Sequence, residues 1–88
     1  MDWTIEISSG AERQLRKLDR ATARRLVADL RTLVAETNDP RQRGKGLTGP
    51  YSGLWRYRVG DHRIICQLLD DRLIVLVVRL GHRSQVYD

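Results

Sequence analysis

A β-hairpin centred on Gly60 and Asp61 is the feature that most limits what this chain can fold into. The residues on either side, 54–59 and 62–69, are rich in β-branched, aromatic and aliphatic side chains, which is typical of strands. Glycine followed by aspartate suits a type II′ turn, in which glycine takes the first central position. We therefore expect two antiparallel strands joined by a two-residue turn.

A two-residue turn also predicts which side chains lie together. Counting back from it, Val59 faces His62, and Arg58 faces Arg63 directly across the pair. The same counting places one apolar set on a single face, which must meet the helices. That set is Trp55, Tyr57, Val59, Ile64, Cys66, Leu68, Leu73, Val75 and Val77.

Arg56, Arg58 and Arg63 then share the opposite face of the sheet. Two cations directly across a strand pair are destabilising, so a purely structural sheet would tend to avoid them. We interpret the arginines as a site for phosphates or carboxylates; the alternative is that they extend into water beside Asp61. The same face also carries four apolar residues, too much apolar surface to be left fully bare, so a partner is expected to cover some of it. These are Ile65, Ile74, Leu76 and Val78.

The first half of the chain predicts one strand and two helices. Residues 2–7 alternate in polarity as a half-buried strand does. Ser9 and Glu12 match a capping box that begins a short helix, and Asp19 can cap a longer second helix. Four glycines then mark residues 41–53 as a loop.

A third strand of the sheet is expected at residues 72–80, after a two-residue turn at Asp70 and Asp71. The order is then β-α-α-β-β-β, and the fold class is α+β, with an antiparallel sheet packed on a helical hairpin. A chain of 88 residues is long enough for one such core and no more, so we expect one domain over residues 1–88.

Charge is distributed unevenly along the chain. Residues 1–40 carry seven basic and seven acidic side chains, whereas residues 41–88 carry nine basic and four acidic ones, which accounts for the whole formal net charge of +5. Only Lys17 and Lys45 of the sixteen basic residues are lysines, and the planar fork of arginine suits bidentate contacts to phosphate. The bias favours a polyanionic partner.

The sequence also indicates where the protein works. No signal peptide is recognisable, and the longest apolar run, residues 73–78, is too short to cross a bilayer. A single cysteine, Cys66, fits a reducing compartment and is expected to be a buried core residue. Two histidines and one cysteine lack metal-ligand spacing. We expect a soluble, cytoplasmic protein with no metal or other cofactor and no membrane partner.

The chain ends in residues 80–88, LGHRSQVYD, which place His82, Arg83 and Tyr87 just beyond the last strand, with Arg79 close by. A histidine, an arginine and a tyrosine beside an arginine-bearing sheet can transfer protons next to a charged transition state. Taken singly, His82 can also be an exposed turn residue, and Tyr87 can cover apolar surface with its ring.

Two motifs give the chain a family resemblance. The hairpin LWRYRVGDHR at residues 54–63 and the terminal GHR and VY, together with GKGLTG at residues 44–49, resemble the RelE/ParE superfamily of bacterial toxins, and specifically its RelE-like branch. The resemblance extends over essentially the whole chain, because a strand, two helices and a three-stranded antiparallel meander are the plan of that family.

The resemblance implies a toxin of a type II toxin–antitoxin system, neutralised by a cognate, RelB-like antitoxin. RelE-like toxins enter the ribosomal A site and cut the messenger RNA there. The ribose 2′-hydroxyl attacks the adjacent phosphodiester, which leaves a 2′,3′-cyclic phosphate and a free 5′-hydroxyl without any metal. The enzyme must orient that hydroxyl, remove its proton, stabilise the charge on phosphorus and protonate the leaving oxygen.

The resemblance also implies roles for individual residues. Arg63 matches an arginine of the second hairpin strand and is assigned to phosphate stabilisation, and Arg56 is assigned to the same charge or to substrate positioning. His82 and Arg83 match the basic pair after the last strand, and Tyr87 matches the near-terminal tyrosine, which can stack on a base or orient the 2′-hydroxyl. Further RNA contacts are expected from Arg24, Arg25, Arg31, Arg41, Arg43, Lys45, Arg58 and Arg79.

One departure from the family pattern bears on the acid–base chemistry. RelE-like enzymes often carry lysines on the first hairpin strand, where this chain has Leu54 and two arginines. Arginine stays protonated and is a poor general base, so the acid or base role shifts to His82, with Tyr87 as the second choice. His62, expected on the core-side face, is a weaker candidate.

Two other functions stay open at this point. ParE-like proteins share the fold but inhibit DNA gyrase by binding it, and they generally lack the catalytic set that Arg63, His82, Arg83 and Tyr87 would form. A toxin that has lost its activity and survives as a regulatory partner is the third alternative.

Overall fold

The fold is built from a five-stranded sheet and two helices. The computed structural model describes residues 2–82 of the chain. The strands are β1 Thr4–Ile7, β2 Lys45–Gly46, β3 Trp55–Val59, β4 His62–Leu69 and β5 Ile74–His82, and the helices are α1 Ser9–Arg16 and α2 Arg20–Ala35. Short 3₁₀ turns at Pro40–Gln42 and Gly49–Tyr51 interrupt the long connection before β3. The predicted α+β class and the order of its main elements are confirmed.

The sheet is mixed rather than wholly antiparallel. Its strand order is β1-β5-β4-β3-β2, and β1 runs parallel to β5, with Thr4 in register with Ile74 and Ile7 with Val77. The other neighbours in the sheet pair antiparallel. The first and last strands run in the same direction because the two helices carry the chain across one face before the meander begins.

Both helices begin at side chains that accept a hydrogen bond from the first turn. The hydroxyl of Ser8 accepts from the backbone N–H of Ala11 at 3.1 Å, so Ser8 is the N-cap of α1, and the predicted capping box at Ser9 is wrong by one residue. Asp19 caps α2 as predicted and accepts from the N–H of Thr22 at 3.1 Å. Neither helix within residues 2–82 has the length and apolarity needed to cross a membrane.

The hydrophobic core lies between the helices and one face of the sheet. Ala11, Leu26, Leu30 and Val34 are buried on the helical side of this layer. Fully burying one aliphatic side chain contributes roughly 1.5–3 kcal/mol, so the layer is a main source of stability. The predicted apolar face of the sheet is confirmed for Trp55, Tyr57, Val59, Ile64, Cys66, Leu68, Val75 and Val77.

The connection between β4 and β5 is longer than predicted. Leu69 pairs with Ile74, so residues 70–73 form a four-residue turn, and β5 begins two residues later than expected. Leu73 lies in this turn with a φ of +52° instead of on the apolar face. A shift of two residues preserves the alternation of faces, which is why Val75 still points to the core.

Candidate functional site

The arginines of the hairpin share the face of the sheet that points away from the helices. β3 and β4 pair without interruption, and Arg58 lies directly across from Arg63, as predicted. Gly60 has a φ of +59°, the left-handed value that glycine supplies at the first central position of a type II′ turn. The glycine turn therefore holds the two cations opposite each other.

A β-bulge in β5 brings a fourth arginine onto this face. Cys66 pairs with Val77, but the preceding Ile65 pairs with Arg79, so Val78 is an extra residue in β5. Without the bulge, Arg79 would share the core-side face of Val77. The alternation of side chains along β5 does not indicate the extra residue. The sequence therefore predicted that Arg79 lies close to the site, but not that it shares this face.

Register pairing aligns basic side chains in a first row across four strands. The row runs from Lys45 on β2 through Arg56 on β3 and Ile65 on β4 to Arg79 on β5. With neighbouring strands about 4.8 Å apart, it spans about 14 Å. Ile65 is only 2% exposed, and the Nε atom of Arg56 is buried, as expected where long arginine side chains flank an apolar one.

A second row, one step closer to the hairpin turn, consists of Arg58, Arg63 and Gly81. A Cβ atom built on Gly81 would meet nothing within 4 Å, so the sheet leaves open space beside Arg63 in which a ligand can approach the backbone. Arg63 and Arg79 are half-buried, and Arg58 is exposed. We call the two rows together the arginine face.

Two aromatic side chains hold the segment that carries Arg43 and Lys45 against β3. The hydroxyl of the buried Tyr57 donates to the carbonyl of Pro40 at 2.8 Å, and the indole N–H of Trp55 donates to the carbonyl of Arg43 at 2.6 Å. Burial raises the pKa of the Tyr57 hydroxyl far above its ordinary value, so the group remains a donor at neutral pH. These contacts position the start of the first row.

Gly44 allows the same segment to approach β3 closely. Its φ is +76°, and a Cβ atom there would collide with the backbone oxygen of Arg56 and crowd the rings of Trp55 and Tyr57. Beside it lies an open groove of about 450 Å³ at the edge of the sheet. The groove is lined by Leu33, Arg43, Gly44, Lys45, Arg56, Tyr57 and Arg58.

Arg41 and Arg43 are engaged by acidic side chains. Arg41 forms a bidentate pair with Asp70, with N–O distances of 2.8 and 2.7 Å, and lies 3.6 Å from Asp39. The hydrogen bonds from Arg41 hold the pKa of the Asp70 carboxyl below its usual value. Arg43 lies 3.4 Å from Glu36. Both guanidinium groups already have an acidic partner, so Arg41 and Arg43 are weaker candidates for phosphate contacts than the sequence indicated.

The remaining basic residues of the prediction lie elsewhere. Arg24, Arg25 and Arg31 occupy exposed positions on α2, which packs on the opposite side of the sheet from the arginine face. Arg83 and Tyr87 lie outside the described residues.

His82 is the last residue of β5, and the prediction that it lies beyond the sheet is wrong because β5 starts later and contains a bulge. It faces His62, and the two rings make an edge-to-face contact with centroids 5.9 Å apart and planes at 81°. Because His62 also pairs with Val59, both histidines lie on the core-side face. Strand pairing therefore does not bring His82 onto the face of Arg63.

Cys66 packs in the core as predicted. It is 0% exposed, and burial raises the pKa of its thiol to about 12, so the sulfur is not a thiolate at neutral pH. Residues 2–82 contain no group of three or more histidine, cysteine, aspartate or glutamate side chains placed to hold a metal ion.

Comparison with known proteins identifies the family. The model of the ParE toxin of the type II toxin–antitoxin system parDE matches residues 5–87. The chain belongs to this toxin family. Toxin RelG of Mycobacterium tuberculosis is 27% identical to it over 88 residues, which cover 99% of this chain and 98% of that protein.

Solved structures agree with this assignment. A chain of the toxin–antitoxin complex RelBE2 from Mycobacterium tuberculosis matches with a TM-score of 0.83 and 26% identity, covering 94% of this chain and 100% of that one. A mutant of the E. coli toxin RelE in the free state has the same fold, with a TM-score of 0.72, 20% identity and coverage of 99% and 92%. The protein is a toxin of a type II toxin–antitoxin system in the RelE/ParE superfamily, as predicted.

Proposed function

We propose that this toxin is a metal-independent endoribonuclease that acts in the cytoplasm and cuts messenger RNA in the ribosomal A site. The observation that carries the proposal is the arginine face, where four arginines from three strands share one side of the sheet and Arg63 pairs with Gly81, beside which there is open space. The ribose 2′-hydroxyl of the substrate attacks the adjacent phosphodiester, and the products are a 2′,3′-cyclic phosphate and a 5′-hydroxyl. DNA lacks the attacking group, so only RNA is cut.

Arg63 stabilises the charge that develops on the phosphate oxygens during the attack. It lies between Arg58 and Gly81 in the second row, so a phosphate over Gly81 has Arg63 beside it and Arg79 two residues back along β5. Arginine forms short, charge-assisted hydrogen bonds to phosphate, and one preorganised donor of this kind typically contributes about 10²–10³-fold to the rate. Arg56, in the first row, holds a flanking phosphate.

Proton transfer needs a group that can both accept and donate a proton, and the permanently charged arginines cannot accept one. We assign this role to His82, which follows Gly81 directly at the end of β5. Because the imidazole of His82 lies on the core-side face, the RNA must extend around the end of β5 to reach it. Tyr87 is the second choice for this role, and Arg83 is a further candidate for the catalytic set.

A cognate, RelB-like antitoxin is the expected protein partner. The RelBE2 assembly and the RelE–RelB assembly from Pyrococcus horikoshii are toxin–antitoxin complexes, and the latter shares the fold of this chain with a TM-score of 0.71 at 23% identity. Of the four apolar residues on the side of the sheet opposite the helices, Ile65 and Ile74 are already buried in the described chain and need no partner. The half-buried Leu76 and Val78 remain for an apolar part of the antitoxin to cover.

A ParE-like inhibitor that binds DNA gyrase is the second candidate. Two observations favour it: the matching family model is that of the ParE toxins, and strand pairing keeps His82 off the arginine face. The arginine face would then be a surface that binds an acidic protein.

Purified toxin added to translating ribosomes tests the proposal. New messenger RNA ends within the A-site codon, carrying a cyclic phosphate and absent with Arg63→Ala, are the expected result. Arg16→Gln is the matched control, because Arg16 is an exposed residue of α1 that pairs with Glu12. If the message stays intact and the toxin inhibits supercoiling of DNA by gyrase in a separate assay, the gyrase inhibitor replaces the ribonuclease as the function.

A further inference from the structure

A groove between α1 and β5 continues the first row of basic side chains beyond the sheet. Arg79 is the last member of that row and also one wall of the groove. The groove is open and has a volume of about 450 Å³. Its lining consists of Gly10, Arg13, Gln14, Lys17, Val78 and Arg79.

The walls of this groove are held by regular hydrogen bonds. Where β1 ends, α1 takes its place along the edge of β5: the Ser8 N–H donates to the Val77 carbonyl at 2.9 Å, and the Ser8 hydroxyl donates to the Val78 carbonyl at 3.4 Å. The side-chain oxygen of Gln14 then accepts from the Leu80 N–H at 2.8 Å. The groove is therefore part of the rigid fold and not a gap between loops.

Arg13 on α1 and Lys17, the C-cap of that helix, lie one helical turn apart, and both are exposed. Like charges at this spacing destabilise a helix. Arg16, between them in sequence, has Glu12 at 3.0 Å, but no ion pair joins Arg13 or Lys17 to a carboxylate within residues 2–82. Two cations also lie close together on the arginine face, where Arg58 is directly across from Arg63.

We propose that the groove is a second phosphate-binding subsite, which holds nucleotides that flank the bond at the arginine face. This inference rests on the proposed function. Arg13, Lys17 and Arg79 line the groove, and contacts from guanidinium and ammonium groups to phosphates read the backbone and not the bases. The bulge at Val78 makes the two surfaces continuous, because it turns Arg79 away from the core.

The order of the cations favours RNA over an acidic protein segment. Basic side chains follow one another across β2, β3, β5 and α1, so a strand with one negative charge per nucleotide can be contacted at each step. A trinucleotide is expected to occupy only the arginine face, whereas a longer strand also reaches the groove.

Fluorescence anisotropy with non-cleavable 2′-O-methyl RNA tests the subsite. Arg13→Gln combined with Lys17→Gln should weaken binding of a nonanucleotide about tenfold and reduce its log–log salt slope by about 1.4, at about 0.7 for each lost phosphate contact. Binding of a trinucleotide should not change. Arg16→Gln combined with Arg20→Gln removes the same charge from the same end of the helical layer and should behave as the wild type. Each groove substitution alone should lower the slope by about 0.7.

The proposed subsite is ruled out if the groove double variant and the control double variant lose the same affinity for the nonanucleotide. It is also ruled out if the groove double variant loses as much affinity for the trinucleotide as for the nonanucleotide. A third contradicting result is that hexaglutamate displaces the nonanucleotide more effectively than unlabelled RNA does. The subsite is also overturned if the groove variant binds as the wild type while Arg63→Ala abolishes binding, and the arginine face then stands alone. If the groove double variant loses nonanucleotide binding but the wild type cuts no message on ribosomes, the subsite stands and the proposed ribonuclease activity is rejected.

Discussion

Arg58 and Arg63 face each other directly across β3 and β4, on the side of the sheet that points away from the helices. Two opposed cations lower the stability of the free protein, and the same two guanidinium groups are well placed to bind a phosphate. Stability and binding therefore make opposite demands on this pair.

Arg58→Gln should make the free toxin more stable and a weaker binder of RNA. Removing one of two opposed cations is expected to raise the free energy of unfolding by about 0.2–1 kcal/mol. Urea unfolding at low and high salt measures this, and the gain should shrink at high salt because the repulsion is screened. Arg16→Gln, which loses its pair with Glu12, should show no gain. A variant less stable than the wild type at low salt would contradict the assigned repulsion.

Gly44→Ala should destabilise the protein and displace the start of the first row. A side chain at its φ of +76° meets the backbone oxygen of Arg56, and such strain costs roughly 1–3 kcal/mol. The matched control is Gly10→Ala in α1, where a Cβ atom meets nothing within 4 Å, and its stability should rise slightly. Equal thermal stability of the two variants would show that the close approach at Gly44 has been misjudged.

The Arg41–Asp70 pair should give the protein an acid-sensitive contribution to stability. Arg41 lowers the pKa of Asp70, so the contribution is complete above the unfolded pKa of about 3.9 and is lost as the pH falls through the lower folded value. Asp70→Asn should therefore lower the melting temperature at pH 7, with a difference that narrows below about pH 4. Asp71→Asn, at the next residue in the turn, is the matched control for a substitution in this turn. A pH-independent difference for Asp70→Asn would contradict the prediction.

His82→Gln should slow cleavage by about 10²–10⁴-fold, because it removes the proposed acid–base group. His62→Gln, which removes the ring in contact with His82, should slow cleavage far less, because the acid–base group is still present. Single-turnover cleavage on programmed ribosomes measures both. Wild-type rates of cleavage by His82→Gln would transfer the role to Tyr87.

The hairpin register was predictable because Gly60 and Asp61 allow a two-residue turn and the alternation on both sides agrees with it. The bulge in β5 was not, since Val78 lies in an apolar run where either face accepts a valine. The four-residue turn before β5 depends on a left-handed Leu73, a conformation that its residue type does not signal.

The site shows the same division between local and long-range signals. Arg58 and Arg63 follow from counting along one hairpin, so the sequence sufficed to pair them. The neutralisation of Arg41 joins residues 29 positions apart and depends on the tertiary fold, which a local pattern does not encode. The separation of His82 from the arginines depends on the bulge in β5, because the longer turn preserves the alternation of faces.

Cleavage of a message with a single 2′-deoxynucleotide at the scissile position in the A site tests the central claim most directly. The arginine face is proposed to bind a phosphodiester that the neighbouring 2′-hydroxyl attacks, so wild-type toxin should cut the all-ribose message and leave the substituted bond intact. Equal cutting of both messages would show that the attacking group comes from elsewhere. Failure to cut either would contradict the assignment of the arginine face to RNA cleavage.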